Sequence, residues 1–115
     1  MKLNNNFAER RTSPRVNTAL PINIKTEDFD IAASTQNISR SGAYCEVKKY
    51  IAPMTKLGII MVIKDKNREL KIKCRGVVVR TEEKNDKYNI AIYFNDIADS
   101  EKEKITKYVE NLLTV

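Results

Sequence analysis

The chain has 115 residues, with 21 Lys and Arg against 15 Asp and Glu, two cysteines and no histidine. That length supports one domain around one core, the net charge of +6 favours anionic partners, and the missing histidine excludes serine- or cysteine-histidine hydrolysis. No apolar run is long enough for a transmembrane helix and none follows Met1-Lys2 as a secretory signal requires, so a cytoplasmic protein without a membrane span is expected.

Residues 1–15 are polar, Asn-rich and aperiodic, and read as a flexible N-terminal arm ending at the Pro14 constraint. The arm carries Arg10-Arg11-Thr12-Ser13-Pro14-Arg15, which gathers three guanidinium groups into a short stretch. From Val16 the periodicity becomes two, and residues 16–115 read as a single domain. Leu20, Ile22 and Ile24 alternate with polar neighbours in a half-buried strand. Pro21 has no N–H to give a ladder, so this strand is expected at an edge or bulged. A second strand is read over residues 29–36, a turn over residues 37–42 and a third strand over residues 43–47. Residues 57–63 form a dense apolar strand closed by a turn at residues 65–68. Leu70, Ile72 and Cys74 alternate in the next strand, which runs on to Arg80 with a bulge or bend expected at Gly76. After a turn at residues 83–86, residues 88–94 make the last strand. Six strands at short, regular spacing argue for an all-β barrel or sandwich. Cys45 and Cys74 sit inside strand patterns and read as small buried hydrophobes, and two distant cysteines cannot build a structural zinc site.

The pattern then changes period. Ile105, Tyr108, Val109, Leu112 and Leu113 recur at helical spacing, giving a helix over about residues 99–113 whose narrow apolar stripe packs on the barrel or, as the alternative, forms a dimer seam or partner-docking face, with Ser100 and Glu103 as a capping box.

Two separated stretches carry the chemistry. Arg10, Arg11 and Arg15 offer planar forks whose paired, charge-assisted bonds suit phosphate and whose flat faces stack on bases. Asn37-Ile38-Ser39-Arg40-Ser41-Gly42 is rich in hydroxyl and amide groups and ends in glycine. There Asn37 can recognise a base edge, and Ser39 with nearby backbone amides can hold a phosphate oxygen. Gly42 is read as supplying a positive φ and room for close approach. The candidate ligand-binding set is Arg10, Arg11, Arg15, Asn37, Ser39, Arg40 and Gly42. No carboxylate pair or nucleophile–base set stands out, so no enzyme is read. A nucleic-acid-binding barrel would need stacking aromatics on one sheet face, and the aromatics are few and scattered.

The combination resembles the PilZ domain family. The likeness rests on Arg11-three-Arg15 leading into the first strand, on Asn37-any-Ser39-two-Gly42 after one hairpin, and on the closing strand Tyr88-Asn89-Ile90-Ala91-Ile92-Tyr93-Phe94 before a helix. Ala91 stands where the family often has glycine. The resemblance implies a six-stranded antiparallel barrel with a C-terminal α-helix, in a bacterial receptor for the second messenger cyclic di-GMP. It implies that Arg11 and Arg15 grip phosphates and stack on guanines, that Asn37 and Ser39 contact guanine and phosphate, and that Gly42 permits close approach. Arg10, just before the motif, is a position where a basic residue favours a stacked ligand dimer. Output would pass through a downstream protein partner, with the arm ordering over the ligand. The alternative is a PilZ-fold interaction module with little or no nucleotide binding.

Overall fold

The computed structural model describes residues 14–113. In chain order its elements are β1 (Val16–Asn17), β2 (Pro21–Lys25), β3 (Asp30–Ser39), β4 (Gly42–Val47), β5 (Lys56–Asp65), β6 (Arg68–Lys84), β7 (Lys87–Asp96) and α1 (Asp99–Leu113). The ladders join β3-β2-β5-β6-β7-β4, and β4 pairs back onto β3, so six antiparallel strands close into a ring. β1 adds two residues to β3 at the Ile38 end. This is the six-stranded antiparallel barrel with a C-terminal helix that the periodicity and the family resemblance lead one to expect. No helix among the described residues is long and apolar enough to cross a membrane.

Alternation builds the interior. Ile22 and Ile24 on β2, Ile59, Met61 and Ile63 on β5, and Ile90 and Ile92 on β7 are all buried while their neighbours are more exposed. The β6–β7 turn places Asn85 and Asp86 at φ of 52° and 65°. Two left-handed residues give a tight hairpin whose twist matches the flanking strands. β6 is a single strand of 17 residues that serves two neighbours. Its first part pairs with β5 and its last part with β7, and the register shifts around Gly76 and Val79. The bend expected at Gly76 is thus present, and a Cβ there would press on Ile92, Ile59 and the Tyr93 carbonyl.

Several expectations change. β2 is not an edge strand, because it pairs with both β3 and β5; Pro21 is tolerated as its first residue, where pairing to β5 has not begun. Asn37, Ile38 and Ser39 are not in a turn but remain on β3, and only Arg40 and Ser41 form the connection to β4. The Asn and Ser types there had suggested a turn, but cross-strand pairing with β4 holds them extended. The helix starts at Asp99, with Ala98 C=O accepting from Glu101 and Lys102 N–H. Ser100 therefore falls inside the first turn and cannot cap it. Cys45 is fully buried, but Cys74 is only half-buried, and both are free thiols.

Candidate functional site

Arg15 stands just before β1, whose pairing to β3 sets Val16 opposite Ile38 and Asn17 opposite Asn37. Val16 is buried, and this anchor swings the Arg15 side chain across the end of β3. Arg15 Nη1 donates to Asn37 Oδ1 at 2.6 Å and Nη2 donates to Ser39 Oγ at 3.3 Å. Ser39 is itself buried, and its Oγ accepts from Ser41 N at 3.2 Å and lies 3.1 Å from Ser41 Oγ. The next link is Ser41 C=O, which accepts from Phe94 N on β7 at 2.9 Å. A continuous hydrogen-bonded path thus runs from the guanidinium, through the β3–β4 connection, to the last strand. Partial burial lowers the Arg15 pKa from its usual value, yet arginine remains charged at any pH the fold meets.

Arg15, Asn37 and Ser41 form one end of a groove of about 550 Å³ between β4, β6 and β7, while Ser39 is buried and does not line it. Its floor is Gly42, Ala43, Ala91 and Ile92. Along its sides lie Tyr93 and Val79, both more than half exposed despite being apolar. At the far end the Arg80 guanidinium sits 5.9 Å from the centre of the Tyr44 ring, within cation–π range. Tyr44 OH donates to Glu82 Oε1 at 2.9 Å, and Arg80 Nε is 3.9 Å from Glu82 Oε2. Burial raises the Tyr44 pKa, with the Glu82 hydrogen bond and charge adding to it against Arg80. The groove therefore offers a cation at each end and flat apolar flanks between. That arrangement suits an anion with planar rings. Among the described residues no three metal-ligating side chains come together.

Of the residues singled out from the sequence, the structure brings Arg15, Asn37, Ser39 and Gly42 to one corner. Arg40 is exposed at the hairpin tip and does not line the groove. Arg10 and Arg11 lie outside the described residues. Gly42 has no positive φ. It is needed for another reason: a Cβ there would collide with the Ile92 carbonyl oxygen, so glycine lets β4 lie against β7. Tyr44, Val79, Arg80 and Tyr93 were missed. Alternation along β4 puts Tyr44 on the same face as Gly42, and that signal was available. Arg80 enters only through the register shift that sets it opposite Ala91, which no sequence pattern shows.

The family model for the PilZ domain matches residues 9–111. Among solved structures, the inhibitor of motility MotI/DgrA of Bacillus subtilis superposes with a TM-score of 0.83 at 19% identity, covering 91% of this chain and 52% of that one. The PilZ domain of YcgR from Escherichia coli, with c-di-GMP, gives a TM-score of 0.71 at 10% identity over 91% of this chain and 92% of that one. MrkH of K. pneumonia, in a c-di-GMP complex, gives 0.70 at 17% identity over 91% and 53%. The chain thus spans about half the length of MotI/DgrA and of MrkH. No curated protein matches it in sequence.

Proposed function

Because this chain belongs to the PilZ domain family, a family of c-di-GMP receptors, we propose that it binds cyclic di-GMP in the groove between β4, β6 and β7 and passes the signal to a protein partner. The observation that carries the reading is the convergence of Arg15 on Asn37 and Ser39, 22 and 24 residues away in sequence. A guanidinium already oriented by two acceptors can turn a remaining N–H edge to a phosphate while its flat face stacks on guanine. Asn37 is the group for a guanine edge; Ser39, which is buried, serves by holding Arg15, and Ser41, which lines the groove, offers its hydroxyl to a phosphate oxygen. Tyr93 and Val79 give a base an apolar wall. Arg10 and Arg11 supply the remaining positive charge, and the segment carrying them closes over the ligand on binding. Arg40, at the hairpin tip, adds charge near the mouth.

Calorimetric titration with cyclic di-GMP, with cyclic di-AMP and GTP as controls, tests the proposal. The expected result is saturable binding of cyclic di-GMP alone, weakened about tenfold to a hundredfold in Arg11→Ala, as loss of one charge-assisted contact implies. No heat from any nucleotide would leave the chain as an interaction module. Amide exchange over residues 7–15 should slow when the ligand is added; equal rates in both states would rule out closure without touching binding.

A further inference from the structure

The barrel seam is incomplete at one place. β3 pairs with β2 along residues 30–34, but with β4 only from Ser34 onward, where Ser34 faces Glu46. β4 ends at Val47, one residue later. Among the described residues no strand therefore lies beside residues 30–33 on the β4 side. The direction of their backbone groups follows from two bonds. Thr35 N donates to Leu20 O and Phe29 O accepts from Thr26 N, both toward the β2 side. Strand alternation then turns the N–H and C=O of Asp30 and Ala32 the opposite way, and Ala32 lines a cleft of about 580 Å³ on that side.

The far wall of this cleft is basic. Lys48 and Lys49 follow β4, and Lys87 comes from the start of β7. Lys87 is balanced by Glu46 at 3.0 Å, and Lys49 Nζ lies 4.5 Å from the Phe29 ring centre. Among the described residues neither Lys48 nor Lys49 has a carboxylate partner. Lysines that merely guard an edge sit on the edge strand itself. Here they sit across from it, and the edge strand presents Ala32, Ala33 and Ser34, small groups that let another backbone approach.

We propose that this cleft is a docking site for an extended acidic segment of a partner protein, which adds a strand to β3 at residues 30–33 and sets its carboxylates against Lys48 and Lys49. Main-chain bonds to Ala32 and Asp30 would supply register and affinity, and the lysines would select charge. The site is separate from the groove beside Arg15 and does not depend on nucleotide binding.

The test titrates the ¹⁵N-labelled full chain with a capped eight-residue peptide of alternating Asp and Val, against an alternating Lys and Val peptide of the same length. Expected are amide shifts confined to residues 30–34 and 46–49 with the acidic peptide, and exchange of the Ala32 N–H slowed at least fivefold. Lys48→Glu with Lys49→Glu should weaken binding at least tenfold, and Ala32→Pro, which removes one edge donor, should abolish it. Equal response to both peptides, shifts elsewhere, or unchanged Ala32 exchange would overturn the proposal without any variant. So would a concentration-dependent dimer in sedimentation that the double lysine variant dissolves, since the cleft would then belong to a second copy.

Discussion

At the scale of single residues, Arg15 arrives at its corner already oriented, held by Asn37 Oδ1 and Ser39 Oγ. A planar fork fixed in place loses little rotamer freedom when it grips a phosphate, whereas a lysine must give up the motion of a four-carbon stem. Arg15→Lys keeps the charge and removes the fork. It should weaken cyclic di-GMP binding about tenfold or more with an unchanged melting temperature; an unaltered affinity in calorimetry would reduce Arg15 to a point charge. Thr35 is the structural counterpart. Its buried Oγ1 donates to Thr18 O at 2.6 Å and accepts from Leu20 N at 2.9 Å, tying the segment between β1 and β2 to β3. Thr35→Val preserves shape and strands both backbone groups, so urea unfolding should show a loss of about 1–3 kcal/mol with the same slope. That Arg15 would meet the Asn37–Gly42 stretch was legible only from the combined spacing of the two, since arginine, asparagine and serine each have ordinary structural uses alone; the direct bonds to Asn37 and Ser39 were not. Thr35 was not, since alternation reports which face a side chain takes and says nothing about a carbonyl 17 positions earlier.

Among the elements, α1 shows where periodicity stops being informative. The five apolar positions of its stripe look equivalent in sequence, but only Ile105, Tyr108 and Val109 pack on the barrel, while Leu112 and Leu113 are exposed. The helix outruns its contact surface on β1, β3, β5 and β6, a fact of barrel width that helical spacing cannot carry. The docked end is also fixed by polar bonds. Glu101 Oε1 accepts from Lys73 N on β6 at 3.1 Å, its Oε2 accepts from Lys104 Nζ at 2.8 Å, and Tyr108 OH meets Thr18 Oγ1 at 3.1 Å. These bonds, the Lys104 contact first, hold the Glu101 carboxyl below its ordinary pKa. Its contribution is therefore present above the unfolded carboxyl pKa and is lost as acid protonates the folded form. Ile105→Ala should cost about 2–5 kcal/mol, whereas Leu112→Ala should stay within about 0.5 kcal/mol; similar losses in thermal or urea unfolding would place Leu112 in a packed interface. The strands were readable for the opposite reason. Each buries one face over most of its length, so a period of two shows from β2 to β7; it breaks where the register shifts on β3 and β6, and the strand ends, set by pairing with neighbours, were misjudged at residues 37–39 and 81–84.

Taken as a whole, the barrel places both thiols where alkaline pH can act on the fold. Cys45 on β4 is fully buried and Cys74 on β6 is half-buried. Burial pushes each up to about 12, and the Glu101 and Asp96 carboxylates add to the effect at Cys74. An unfolded chain releases these protons near the ordinary thiol value of about 8.5. Below that value neither state titrates, and stability does not depend on the thiols. Above it the unfolded state binds fewer protons than the native one, so unfolding free energy falls as pH rises toward about 12. Lysines and tyrosines titrate in the same range, and the comparison must therefore be between chains. Urea midpoints of the wild type and of Cys45→Ala should run parallel from pH 6.5 to 8 and converge between pH 9 and 11, because the variant has lost one proton-releasing group along with some packing. Thiol reagents give a second view: in the folded chain at pH 8, Cys45 should react no faster than the barrel opens, since the thiolate is the attacking species and burial suppresses it. Midpoints that stay parallel to pH 11, or modification of Cys45 faster than backbone exchange in β4, would show that the interior around this strand admits water and that the β4–β7 ladder is looser than its register implies.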